Sequence, residues 1–146
     1  MNILAAIDFS PVTGVVLEAL EQIAANFSAH VWLIHVAAPD PAFVGYEAGP
    51  HAVRNQVADE HRERHQELQG LAERLRNAGI DTTALLLQGP TVEVIIEEAG
   101  RLSASVIVLG SHGHGRIYDL LVGSVAEGVV RASTVPVLLV PAQRTT

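Results

Sequence analysis

The chain contains no cysteine and no lysine. Without cysteine there is no disulfide framework, no thiolate metal site and no cysteine nucleophile. Without lysine there is no P-loop, whose pattern closes on Gly-Lys-Ser/Thr; all nine basic residues are arginine. One Trp, two Tyr and three Phe are too few for a base-stacking platform. The net charge of -7 and the lack of any arginine stripe interleaved with aromatics argue against a nucleic-acid partner. Long apolar runs are missing too: charge, glycine or proline interrupts each one short of the ~20 residues of a membrane span. Met1 to Asp8 lack the basic stretch of a signal peptide. These absences predict a cytoplasmic protein with no membrane partner, and the 146 residues suffice for a single domain over 1–146.

What is present is apolar sequence in short blocks, 49% of the chain. Asn2 to Ile7, Val31 to Val36, Thr82 to Leu87, Ser105 to Leu109 and Pro136 to Val140 predict five strands. Helical periodicity predicts helices from Val12 to about Asn26, Val53 to Asn77, Val92 to Ala99 and Ser124 to about Ala132. Ser10-Pro11 suits an N-cap followed by proline at the first helical position, and Gly79 and Gly100 suit helix stops. Ala37 to Pro50, with three prolines and two glycines, is a loop, and Ala142 to Thr146 a tail. Strand and helix alternate, and most strands are continuously apolar, which predicts an α/β fold with a parallel sheet covered by helices on both faces. In such sheets ligands bind at the carboxyl ends of strands, where strand order reverses. Asp8 follows the first strand and Gly110 the fourth.

Gly110-Ser111-His112-Gly113, nine residues, then Gly123-Ser124 is the most informative spacing in the chain. Glycines at a strand end let backbone approach a ligand, and free N–H groups at a helix start attract anions. The motif therefore predicts a phosphate cradle whose charge is met by backbone amides, hydroxyls, a metal ion or arginine. Each member also has a structural explanation. Asp8 is a turn former able to bond the amides near Ser10. Ser124 and Glu127 spell a capping box, and the glycines mark a turn.

With the motif joined to Ile3–Asp8, Ser10-Pro11, Leu33–Val36 and Val135–Val140, the sequence resembles the universal stress protein family over nearly its whole length. The Gly-x-x-Gly, nine-residue spacer, Gly-Ser pattern is that of the family's nucleotide-binding branch. The resemblance implies a five-stranded parallel sheet of order 3-2-1-4-5, a Rossmann-like fold of the adenine nucleotide alpha hydrolase type. It implies a homodimer through Val135 to Val140 and an ATP site (or one for ADP or AMP) in the crevice between strands 1 and 4, with Mg2+ or Mn2+ bound through the phosphates. Carried over by position, Ala6, Ile7 and Asp8 would flank the adenosine and Val36 the adenine edge. Leu109 and Gly110 would line the ribose side, and His112 and Gly113 would approach the phosphates. Gly123, Ser124, Val125 and Ala126 would offer amides, plus the Ser124 hydroxyl, to the outer phosphates. Ala126 stands where family members often carry a hydroxyl.

The function so implied is a nucleotide-binding regulatory stress-response protein. A slow ATPase and a nucleotide-free dimeric interaction module are the alternatives. Phosphoryl transfer rests on positioning and cation stabilisation, and only Arg116 lies within the motif, either facing phosphate or paired at the surface with Asp119. His112 and His114 are loop histidines able to meet a phosphate oxygen. His61 and His65 stand at i, i+4, but the surrounding charges fit a solvated helix face better than a metal site, so no metal-ligating protein residues are assigned. His35 fits a satisfied core or rim histidine. Ser10, Ser111 and Ser124 form no Gly-x-Ser-x-Gly elbow, and no catalytic residue is assigned.

Overall fold

The structure is a computed structural model that describes residues 1–38, 51–112 and 122–142, the side chains of 51–55 excepted. The elements are β1 (Asn2–Ala6), α1 (Val12–Phe27), β2 (His30–Ala37), α2 (His51–Asn77), β3 (Thr82–Gln88), α3 (Thr91–Arg101), β4 (Val106–Gly110), α4 (Ser124–Ala132) and β5 (Val137–Val140). The five strands form one sheet in the order β3-β2-β1-β4-β5, and every neighbouring pair is parallel. This is the order implied by the family resemblance.

Side-chain alternation along the buried strands divides the interior into two layers. Ile3, Ala5, Val31, Leu33 and Val108 face α1 and α2, meeting Leu17, Leu20, Leu68 and Leu75. Leu4, Ile34, Ile107 and Leu109 face α3 and α4, meeting Ile95 and Val129. Ile3 and Leu4 are both fully buried, on opposite faces of β1, and each contributes about 2 kcal/mol by leaving water. Continuous apolar strands are thus the signature of a sheet covered twice.

Two local expectations are corrected and a third holds. The Ser10 hydroxyl caps nothing: Pro11 occupies the N-cap position without a side-chain cap, and the Ser10 carbonyl, not its hydroxyl, accepts the Thr13 N–H at 2.9 Å. Gly100 does not stop α3, because it retains a negative φ and the helix continues through Arg101. Turning is left to Ser103, at φ 50°. Gly79, at φ 83°, does end α2, with its N–H on the Arg76 carbonyl and that of Ile80 on the Leu75 carbonyl, the left-handed termination that glycine permits.

Candidate functional site

β1 pairs with β2 on one side and β4 on the other, with Ala6 in register with Leu109. The connection after β1 leads outward to β2 and the one after β4 leads outward the other way to β5, so the carboxyl ends of β1 and β4 open a crevice at the switch point. A cavity of about 410 Å3 occupies it, within the size range of small-molecule sites.

The β1–α1 junction forms one wall with side chains. Past Ile7, Asp8 Oδ1 accepts the Ser10 N–H at 3.0 Å, the turn geometry open to any aspartate here. Phe9 is held at φ 58°, a conformation that costs a non-glycine residue energy. Its ring lies 4.5 Å from that of His35. His35, on β2, is 6% exposed, and its Nδ1–H donates to the Ile7 carbonyl at 2.8 Å. That bond fixes the tautomer and leaves Nε2 to accept from Arg64 Nη1 at 3.4 Å. Burial is the main force lowering the His35 pKa. The Arg64 cation lowers it further, while the Ile7 hydrogen bond, Asp8 and Glu67 oppose the shift. Val12, Thr13 and Val16 of α1 complete this side.

The β4–α4 junction forms the second wall with backbone. Gly123 caps α4, so the N–H groups of Ser124, Val125 and Ala126 have no acceptor within the helix, and all three residues line the cavity. Ser111 anchors the junction twice. Its N–H donates to the Val140 carbonyl at 2.8 Å, and its carbonyl accepts the Gly123 N–H at 2.6 Å. Ser111 Oγ and His112 Nδ1 share a hydrogen bond of 2.9 Å. The capping box is not formed: Ser124 is the first residue inside α4, and Glu127 turns outward to accept from Arg131 at 2.7 Å. The Ser124 hydroxyl therefore has no capping role.

Eleven of the twelve residues named from sequence line this cavity: Ala6, Ile7, Asp8, Val36, Leu109, Gly110, His112, Gly123, Ser124, Val125 and Ala126. Gly113 lies outside the described residues, as do His114, Gly115, Arg116 and Asp119. Sequence reasoning missed Val12, Thr13, Val16, His35, Thr91, Ile95 and Val122 as lining residues. Their signal was ordinary: Val12 and Val16 fall in the apolar period of a helix, and His35 fits a core or rim histidine. His61 and His65 lie away from the cavity, in a shallow groove beside Leu86. Among the described residues no group of three or more His, Asp or Glu could hold a metal ion, and no helix is long and apolar enough to cross a membrane.

Glycine at position 110 also has a packing reason that the sequence did not reveal. A Cβ there would stand 2.1 Å from Val12 Cγ1, an impossible distance, so the residue is small because the start of α1 packs against the end of β4.

A doubly wound five-stranded parallel sheet with a cavity at its switch point defines the class, a Rossmann-like α/β protein. The universal stress protein family model matches residues 1–141, and the chain belongs to that family. It is 30% identical over 140 residues to universal stress protein A homolog 1 of Coxiella burnetii, covering 95% of this chain and 94% of the relative. The solved structure of the protein MJ0577, of Methanocaldococcus jannaschii, superposes with a TM-score of 0.82 at 24% identity, covering 99% and 97% of the two chains. The universal stress protein of Archaeoglobus fulgidus in complex with dAMP superposes with a TM-score of 0.68 at 22% identity, covering 96% and 97%.

Proposed function

We propose that this is a nucleotide-binding regulatory stress-response protein that holds ATP, or ADP or AMP, in the crevice between β1 and β4. The observation that carries the reading is the meeting, around one cavity, of a largely apolar side-chain wall and the amide-bearing start of α4. Free N–H groups at a helix start favour phosphate, and the apolar wall suits a base and sugar. The dAMP complex of the Archaeoglobus relative supports an adenine nucleotide as the class of ligand. In this reading Ala6, Ile7, Asp8 and Val36 face the nucleoside, Leu109 and Gly110 the sugar, and His112, Gly113 and Gly123 to Ala126 the phosphates. Mg2+ or Mn2+ enters bound to the phosphates.

Binding without rapid turnover is part of this reading, since the chain has no lysine and transfer of a phosphoryl group needs its charge stabilised. We further propose a single cytoplasmic domain that pairs as a homodimer through β5, an edge strand on which Leu138 is 39% exposed.

Isothermal titration of nucleotide-free protein with ATP, ADP and AMP in the presence of Mg2+ tests the reading. Saturable binding is expected, and its absence at millimolar ligand overturns it. Phosphate release that disappears in Asp8→Ala protein would shift the assignment to a slow ATPase.

A further inference from the structure

Ser10 and Thr13 stand three residues apart at the start of α1, and both are buried, at 3% and 8% exposure. Among the described residues neither hydroxyl has a hydrogen-bond partner. Their situations differ in one respect: Thr13 lines the cavity of the crevice, while Ser10 does not. A helical threonine ordinarily turns Oγ1 onto the carbonyl three or four residues back, and Thr13 makes no such bond. A buried hydroxyl left unpaired is costly. At the wall of a ligand cavity, that cost is removed when a ligand supplies the partner.

We propose that Thr13 Oγ1 is a specificity-determining group of the crevice that hydrogen-bonds the nucleoside half of the bound nucleotide. The inference rests on the nucleotide reading above. The nucleoside half is favoured over the phosphates by the surroundings of Thr13. It sits beside the apolar Val12 and Val16, five residues after Asp8, whose carboxylate repels phosphate. The anion-attracting amides belong to α4, which packs on the other face of the sheet from α1. A hydroxyl both donates and accepts, so it can meet a sugar hydroxyl or a ring nitrogen equally well.

Thr13→Val replaces the hydroxyl with a methyl group of similar shape, and Thr13→Ser keeps the hydroxyl. Both are compared with wild type by isothermal titration with ATP and with AMP, and by thermal melting of the nucleotide-free proteins. Thr13→Val is expected to weaken ATP and AMP by the same factor, about three- to tenfold, the scale of one hydrogen bond. Its nucleotide-free melting temperature is expected to equal or exceed that of wild type, since an unpaired buried hydroxyl is gone. Thr13→Ser is expected to bind within about twofold of wild type. Unchanged affinity for both ligands in Thr13→Val overturns the proposal, as does a loss confined to ATP, which would put the hydroxyl against the outer phosphates. Should Thr13→Val melt well below wild type, Thr13→Ala judged by the same ATP-to-AMP ratio replaces it. Wild-type protein that binds neither ligand refutes the reading of the crevice itself, a result distinct from a failure of the Thr13 assignment.

Discussion

The two junctions flanking the crevice are the same construction, a strand end leading to a helix start, executed in different materials. The β1–α1 junction is built from side chains: an Asp8 turn, Phe9 in the left-handed region, and a buried His35 held by the Ile7 carbonyl. The β4–α4 junction is built from backbone, with Gly123 capping α4 and Ser111 binding the loop ends through its own peptide groups. Side chains shape a surface and select by size and polarity, whereas amides at a helix start deliver positive potential that any anion feels. A crevice with one wall of each kind divides recognition between shape and charge.

Four perturbations would break or sharpen that contrast. The largest effect is expected where the walls touch. Gly110→Ala drives a methyl group into Val12 and should cost about 3 kcal/mol of folding stability. Part of this should return in the Gly110→Ala, Val12→Ala double variant, as a denaturant double-mutant cycle would show. If Gly110→Ala is as stable as wild type, the walls are not in the contact described.

On the backbone wall, Ser124→Ala should weaken ATP by about fivefold and AMP less, measured by titration calorimetry. An equal loss for both nucleotides would erase the assignment of this wall to the outer phosphates.

His35 probes the side-chain wall through pH. Its folded pKa lies below 6.5 because burial disfavours the cation, so the unfolded chain takes up the proton first. Its contribution is complete above pH 6.5 and is lost as pH falls through the lower, folded value. Denaturation midpoints of wild type should therefore fall on acidification more steeply than those of His35→Gln. Parallel profiles would show that the imidazole titrates as freely folded as unfolded.

The smallest effect belongs to Glu127. As half of an exposed i, i+4 pair with Arg131, it should cost no more than about 0.5 kcal/mol when changed to Ala, which removes both the ion pair and any capping group. A loss nearer 1 kcal/mol in chemical denaturation would restore a role in capping α4.

Much of this was legible in the primary structure, for a reason the two walls make plain. Strands buried on both faces leave unbroken apolar runs such as Ile3–Ile7 and Val106–Leu109, and helices leave their period, so element type and, from the alternation of the two, the parallel sheet could be read. The crevice was legible because its ends are marked by rare chemistry, a carboxylate after β1 and glycines after β4. What escaped depends on which side chain reaches which neighbour. Ser10 looks like a cap and is not one. Ser124 and Glu127 spell a box that the helix does not use, and Gly110 looks like ligand clearance and also serves packing. Thr13 and His35 are ordinary core letters until the fold turns them toward a cavity.

The double attachment of Ser111 has a mechanical meaning. Its N–H is tied to the last residue of β5 and its carbonyl to the residue that caps α4, so a single peptide-length link joins the crevice to the outermost strand. A displacement of Gly123 need not travel through the packed interior to reach the rim of the sheet. It acts there as a pull on a short tether, on an edge strand that is paired within the chain on one side alone.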